Sequence, residues 1–471
     1  MTRSFGKNSL IAGLAALFAI SPAVQIFAQS GGPASSTPTR PFLQDIKVPS
    51  ADDSLVKKTS ISTARTDVAA PSASLVRTSI PILAETVIPG YSGVLVESVD
   101  GKTVVDAASN VPFNPASNVK IATTYAVLKT FGPDYRFPTS VWTDGSFEEA
   151  SGTIYGNLYV SGRNPIFTYD DVVGLAAEMN RMGIRSVSGD LVVTDNFSLN
   201  YTTSAERSSQ ALFAVLDSAK RPAAATRAWG TYLVNAGKVG RLPANPGVSF
   251  TGKVYVQPMP SNAKILFTHE SAPLREIIKA MMCYSNNFVA ERLGEMLGGP
   301  FGVARVVQQN TGSQPSEFYI QTSSGLGVNR VTPAAMMRVL RALRNDLARY
   351  RMTFADIMPV AGLDKGTLEK RFDTDFAEGS VIGKTGTLGN TDGGVSALAG
   401  EINTRSGTFL FVIFNQRGSV ARFRSFQNSY VSLIQGQFGG PAPVGYSPVS
   451  LDARLARTRF SYPAQAALGS E

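Results

Sequence analysis

Residues 114–133 read NPASNVKIATTYAVLKTFGP, and this stretch decides the fold. From Val119 to Phe131 the chain is mostly apolar, and Gly132-Pro133 stops it, which predicts a buried helix. Ser117 and Lys120 open that helix, with Pro115 just ahead of them. Three residues apart on a helix, the two side chains face the same way. At a helix start the partial positive field favours a developing oxyanion. Burial and nearby positive charge also hold a lysine neutral, so that it can act as the base for a serine nucleophile. Ser-x-x-Lys alone is a poor signal, because it also occurs at Ser4/Lys7, Ser54/Lys57 and Ser261/Lys264. Residues after Pro260 enter a strand-like run, which would point Ser261 and Lys264 to opposite faces. Only Ser117/Lys120 opens a helix.

The rest of the composition also favours a lysine base. The chain of 471 residues holds one histidine, His269, and one cysteine, Cys283. An intramolecular disulfide and a four-ligand Cys/His zinc site are therefore excluded, and a catalytic zinc site would need mainly carboxylate ligands. His269 reads as a cap or supporting polar residue, Cys283 as a packed core thiol, and Trp142 and Trp229 as packing residues. Two further short motifs stand in suggestive places. Ser285-Asn286-Asn287 falls between two amphipathic helical segments, where a turn could present polar groups to a cleft. Its first helix carries Leu274, Ile277, Ile278, Met281 and Met282; the second carries Val289, Leu293, Met296 and Leu297, and ends at Gly298-Gly299-Pro300. Lys384-Thr385-Gly386, followed by Thr387, lies on an edge-like strand, where the glycine would let a substrate backbone come close.

Working outward, Gly93–Ser98 and Thr103–Val105 form a hairpin around Asp100-Gly101. The runs 380–386, 394–401 and 408–415 suggest an antiparallel meander. The fold class expected is α/β (α+β), an antiparallel sheet flanked by helices. Residues 81–145 and 261–436 make one discontinuous domain. Residues 146–260, with strands near 158–160 and 191–193 around one helix near 172–182, make an inserted mixed α/β domain. Arg3, Lys7, the apolar run Leu10–Ile20 and the small residue Ala28 mark 1–28 as an export signal, with an uncleaved anchor as the alternative. In 29–80, 29 of the residues are Ser, Thr, Pro, Gly or Ala, which reads as a linker. Residues 437–471, rich in proline and without periodicity, read as a low-order tail. The formal net charge of +9 fits a solvated basic surface and leaves loose association with an anionic envelope or membrane face open. No dense basic run interleaved with aromatics points to nucleic acid.

Ser-x-x-Lys, Ser-x-Asn and Lys-Thr-Gly in this order resemble the signature of the penicillin-binding proteins and serine β-lactamases. NPASNVK at 114–120, FGPDYRF at 131–137, SGDLVV at 188–193, SGL at 324–326, RVTP at 330–333, PVAG at 359–362 and GKTGT at 383–387 narrow the resemblance. It is to the class C, low-molecular-mass penicillin-binding proteins, the D-alanyl-D-alanine carboxypeptidase/endopeptidases of the peptidase S13 type. The resemblance runs from about residue 93 to about 430. It implies a penicillin-binding-protein/β-lactamase-like transpeptidase fold, peptidoglycan peptides as substrates, β-lactams as covalent inhibitors, no metal or organic cofactor, and a periplasmic or envelope location. Ser117 would be the acylated nucleophile, Lys120 its base and Ser285 a proton shuttle. Asn287 would orient the substrate amide and Lys120, and Lys384 would sustain a positive field. Thr385 and Thr387, flanking Gly386, would hold the substrate carboxylate, and the N–H groups of Ser117 and Thr387 would form the oxyanion hole. The insert is shorter than in the longer members, and Asn286 stands where aspartate is commoner. A β-lactamase-like hydrolase and an inactive peptidoglycan-binding protein stay open as alternatives.

Overall fold

The computed structural model describes residues 76–463. The export signal and all but the last five residues of the expected linker lie outside the described residues. Those last five are attached to the fold: Arg77 and Asp106 exchange backbone hydrogen bonds (2.8 and 2.9 Å) at the edge of the first sheet.

The meander Val381–Leu388, Val395–Thr404 and Gly407–Gln416 continues into Tyr91–Ser98 and then Thr103–Ala107, giving one five-stranded sheet in that order. Every pairing in it is antiparallel. Its inner strands read as near-continuous apolar runs because helices cover both faces. On one face Leu95, Leu410, Val412 and Phe414 pack with residues of the helices Val119–Phe131, Leu274–Tyr284 and Pro333–Arg349. On the other, Val94, Val96, Phe411 and Ile413 meet Tyr430, Val431 and Ile434 of the helix Val420–Gln437. The Val119–Phe131 helix is buried from Val119 through Leu128, as its composition predicts.

A second, six-stranded sheet runs in the order Val254–Val256, Leu191–Val193, Leu158–Gly162, Pro138–Thr143, Lys264–Glu270, Arg459–Ser461. It is mixed, parallel among its first three strands and antiparallel from there on. Three helices pack on it, Tyr169–Arg181, Ala205–Leu216 and Ala223–Asn235, where the sequence suggested one.

Three boundaries differ from expectation. Pro138–Thr143 and Lys264–Glu270, assigned by sequence to the first domain, pair with each other inside the second sheet. Both are half-buried strands, and a period of two does not say which core receives the buried face. The Gly298-Gly299-Pro300 stretch closes one helix, Asn287–Glu295, and at once starts another, Gly299–Thr311, with Gly298 and Gly299 at φ 91° and 77° supplying the turn. Residues 437–463 are also not a low-order tail. They include the helix Leu451–Leu455 and the edge strand Arg459–Ser461. What fixes them is a set of single polar anchors without periodicity. Val444 N–H reaches Gly379 O (3.0 Å), the Tyr446 hydroxyl donates to Asp364 (2.8 Å), and Arg454 and Arg457 both pair with buried Glu276 (2.9 Å each).

Candidate active site

Three elements meet where the sequence motifs lie. The first is a 3₁₀ turn, Ala116–Asn118, that leads into the Val119–Phe131 helix. Ala116 sits at φ 46° and its carbonyl lies against Gly325, where a Cβ would come within 1.9 Å. Only glycine fits there, so the Ser324-Gly325 loop and the nucleophile turn are locked together. On the far side Asn118 holds the turn against the sheet: with its amide oriented to satisfy both partners, it donates to Lys384 O (2.8 Å) and accepts from Ala399 N–H (3.2 Å).

Ser117 is half-buried and faces a cleft of about 710 Å³ shared with Ser285, Asn287, Thr385 and Thr387. Lys120 lies beneath it with no exposed surface. Its Nζ donates to Ser117 Oγ (3.1 Å), Asn287 Oδ1 (2.7 Å) and the Ser324 carbonyl (2.7 Å). Burial lowers its pKa to about 7, and the charge of Glu291 works in the opposite direction. The lysine is thus supplied with acceptors, yet buried enough to give up its proton near neutrality.

Ser285 caps the Leu274–Tyr284 helix in the left-handed region, at φ 55° and ψ 40°. A non-glycine residue there costs on the order of 1 kcal/mol. Asn286 then starts the next helix, its side chain accepting Val289 N–H (3.1 Å). Its place in the motif is that of an N-cap, a task Asn and Asp perform about equally well. Lys384 is wholly buried on the edge strand and donates to Ser285 Oγ (2.9 Å) and Thr385 O (2.7 Å). Burial, and then the neighbouring Lys120, hold its pKa well below the ordinary lysine value.

Seven of the eight motif residues thus fall into three sets. Ser117, Lys120 and Asn287 are joined by hydrogen bonds; Ser285, Lys384 and Thr385 form the second set. Thr387 stands at the cleft mouth and accepts from Arg424 (2.9 Å). A Cβ on Gly386 would meet Pro115 O at 2.8 Å and Ala116 Cβ at 3.0 Å, so the lack of a side chain there makes room for the nucleophile turn.

Sequence reasoning missed several partners. Glu291 accepts the N–H groups of Ser323 and Ser324 (3.0 and 2.9 Å), fixing the carbonyl that receives Lys120. Its position four residues after Asn287, on the same helical face, was the available signal. Asp392 holds Arg330 through two bonds (2.9 Å each) and also accepts from Asn114 (2.8 Å), tying down the chain just before the nucleophile. His269 lies elsewhere, on a strand of the second sheet rather than at a helix cap. It is buried between Phe167 and Phe460 beside Asp171 (3.4 Å), and burial drops its pKa to about 3. Cys283 is a core thiol that burial pushes up to about 12.

Chemically, this is a serine with a buried lysine base at hydrogen-bond distance and a second Ser–Lys pair in the same cleft, which suits acyl transfer. Residues 82–210 and 220–434 match the D-Ala-D-Ala carboxypeptidase 3 (S13) family. A D-alanyl-D-alanine carboxypeptidase of Actinomadura sp. (strain R39) is 26% identical over 453 residues, spanning 75% of this chain and 82% of its own. The Haemophilus influenzae D-alanyl-D-alanine carboxypeptidase DacB is 23% identical over 405 residues, spanning 67% and 80%. Among solved structures, a predatory peptidoglycan endopeptidase from Bdellovibrio bacteriovorus superposes with a TM-score of 0.65 at 23% identity, covering 77% of this chain and 97% of its own. Penicillin binding protein 4 from Haemophilus influenzae gives 0.57 at 22%, covering 77% and 100%. At these identities the structural likeness shows a shared fold.

Proposed function

The chain belongs to the D-Ala-D-Ala carboxypeptidase 3 (S13) family, and from that premise we propose that it cleaves D-alanyl-D-alanine bonds of peptidoglycan peptides through an acyl-enzyme on Ser117. The observation that carries this reading is the 3.1 Å contact between Ser117 Oγ and a fully buried Lys120. Neutral Lys120 takes the hydroxyl proton as Ser117 Oγ attacks the penultimate D-Ala carbonyl carbon. The oxyanion forms against the N–H groups of Ser117 and Thr387, donors fixed by the fold where the negative charge develops. Collapse breaks the C–N bond; Ser285, held by Lys384, gives its hydroxyl proton to the leaving amine and regains the one that Lys120 took from Ser117. Water then hydrolyses the Ser117 ester. Asn287 holds Lys120 in line and presents its amide to the substrate.

Terminal D-Ala release and opening of D-amino-acid crosslinks use one and the same acylation site, so the reading covers either or both. The structural relatives include a penicillin G-acylated endopeptidase and a penicillin-binding protein complexed with a β-lactam. We extend that behaviour to this chain, with Ser117 as the acylated atom's residue. Arg3, Lys7, the run Leu10–Ile20 and Ala28 support export to the cell envelope.

Incubation with purified crosslinked muropeptides, followed by chromatography and mass spectrometry, tests the reading. Release of D-Ala or of monomers by the wild type, absent with Ser117→Ala, is expected. Binding of peptidoglycan without any turnover would favour a non-catalytic envelope protein instead.

A further inference from the structure

A second pocket, of about 810 Å³ against about 710 Å³ for the catalytic cleft, lies where the six-stranded sheet meets the first core. Among the described residues it shares no lining side chain with that cleft. The strands Leu158–Gly162, Leu191–Val193 and Val254–Val256 run parallel, so all three end on one side of their sheet. The residues that follow them, Arg163, then 194–196, then 257–259, form one rim of the pocket. The crevice beyond the carboxyl ends of parallel strands is where open α/β sheets bind small ligands. Its rim stands on fixed backbone: Thr194 N–H donates to Val160 O and Gln257 N–H to Val193 O (3.1 Å each). Another wall comes from the far ends of the two catalytic helices, Phe131 beyond Lys120 and Met296 beyond Asn287. Phe131 stands about 16 Å along its helix from Lys120.

The lining has a definite chemistry. Half-buried Tyr135 is held edge-on by Phe137 (centroids 5.1 Å apart, 88°) and tilted against Phe131 (5.1 Å, 40°), which makes its ring a rigid apolar platform with a polar tip. Met259 and Met296 add adaptable apolar surface. The rim supplies planar polar groups. Asn196 Nδ2 donates to Asp195 Oδ1 (3.0 Å), which leaves each side chain a further oxygen to accept with, and Gln257 brings both a donor and an acceptor. Arg163 and Asp195, the charged residues of the lining, cancel, although the chain as a whole carries +9. A ligand suited to this lining is neutral, has apolar faces and carries hydroxyl or amide groups at its edges. A pyranose ring with an acetamido group meets each condition, with C–H faces for Tyr135, a methyl group for the methionines, and edges that both donate and accept.

We infer that this pocket is a non-catalytic site that holds N-acetylated sugar rings of a glycan strand. The choice of an N-acetylated strand rests on the peptidoglycan reading above, whereas the sugar chemistry rests on the lining alone. With the strand held here, the peptides it bears are kept near Ser117 at a raised effective concentration, without any contact to the reacting bond. Loss of the site therefore weakens capture of the polymer and leaves short peptides unaffected.

The probe is the β-1,4-linked tetramer of N-acetylglucosamine, which carries no peptide. Its binding to full-length Ser117→Ala protein is measured by isothermal titration calorimetry, beside the same protein with Asn196→Ala and Gln257→Ala added. Asn196 is half-exposed and Gln257 exposed, so urea denaturation of the two proteins is expected to coincide. The association constant is expected to fall about 10-fold in the altered protein, the scale of two lost hydrogen bonds. Absence of binding by the parent, or equal binding by both, would overturn the inference. Equal binding of cellotetraose, which lacks the acetamido groups, would overturn the N-acetyl assignment. A second arm keeps Ser117 and reads turnover. With Asn196→Ala/Gln257→Ala, D-Ala release from insoluble peptidoglycan is expected to fall by a comparable factor through KM, while kcat/KM on diacetyl-L-Lys-D-Ala-D-Ala changes less than about twofold. Equal losses on both substrates would show that the rim merely supports the fold, and an unchanged rate on the polymer would show that the pocket does not present it; either overturns the inference. If the wild type hydrolyses neither substrate, the peptidase reading fails, and the sugar site is decided by the calorimetry.

Discussion

Glu291 acts on Lys120 through Ser324: its carboxylate accepts the Ser324 N–H at 2.9 Å, and the Ser324 carbonyl accepts Lys120 Nζ at 2.7 Å. The acid thus fixes the loop that receives the lysine, and its charge opposes the lowering of the lysine pKa by burial. These two effects make separable predictions.

Acylation needs neutral Lys120, whose pKa burial brings to about 7. The rate should therefore climb with pH through about 7 and level off above it, because the deprotonated fraction is the reactive one. Stopped-flow acylation by a chromogenic cephalosporin between pH 5 and 9 measures this. A rate that falls through the same interval would contradict the assignment of Lys120 as base.

In Glu291→Gln the charge that raises the Lys120 pKa is gone, while the amide oxygen can still accept the Ser324 N–H that positions the carbonyl facing Lys120. The rising limb should move to lower pH. Acylation at pH 6 should then be faster relative to the plateau than in the wild type. A limb that stays in place or moves upward would show that the carboxylate does not act on Lys120 by charge.

Gly325 sits at φ 89°, and a Cβ there would lie 1.9 Å from the Ala116 carbonyl. Gly325→Ala is expected to push the Ala116–Asn118 turn out of line and to cut acylation by about 100-fold, the scale of an ångström-sized misplacement. Intact protein mass spectrometry after timed exposure to benzylpenicillin follows the loss. Wild-type acylation in this variant would mean that the turn is not held by the loop.

Lys279 and Asp364 form a buried pair (2.6 Å), 0% and 3% exposed, in which Lys279 also donates to the Ala355 and Met358 carbonyls (2.8 and 2.6 Å). Lys279→Met leaves Asp364 without its cation and should cost about 3–5 kcal/mol of stability. Lys279→Met with Asp364→Leu should recover part of that. Urea denaturation of both proteins checks the order. A single variant as stable as the wild type would remove the pair from the fold's supports.

The motif residues were legible because their chemistry imposes spacing: Ser117 and Lys120 share a helical face, and Ser285 follows a strongly amphipathic helix. The five-stranded sheet was largely legible too, since its strands are long and joined by short turns. Glu291 was not, because a glutamate on a helix reads as solvent-facing unless the loop it receives is known. Arg424 sits 37 residues beyond Thr387, and nothing local ties them. The segment after Gln437 was misjudged for a related reason: Tyr446, Arg454 and Arg457 each hold one distant partner, and single anchors leave no period in a sequence.

Exposure of the full-length protein to benzylpenicillin, followed by peptide mapping of the adduct, tests the acyl-enzyme most directly. The expected result is one penicilloyl group on Ser117, missing in Ser117→Ala and strongly slowed in Lys120→Met, by about 100-fold or more for loss of a general base. An adduct on another serine, or a folded protein that neither reacts with nor turns over the drug, would contradict Ser117 as the nucleophile.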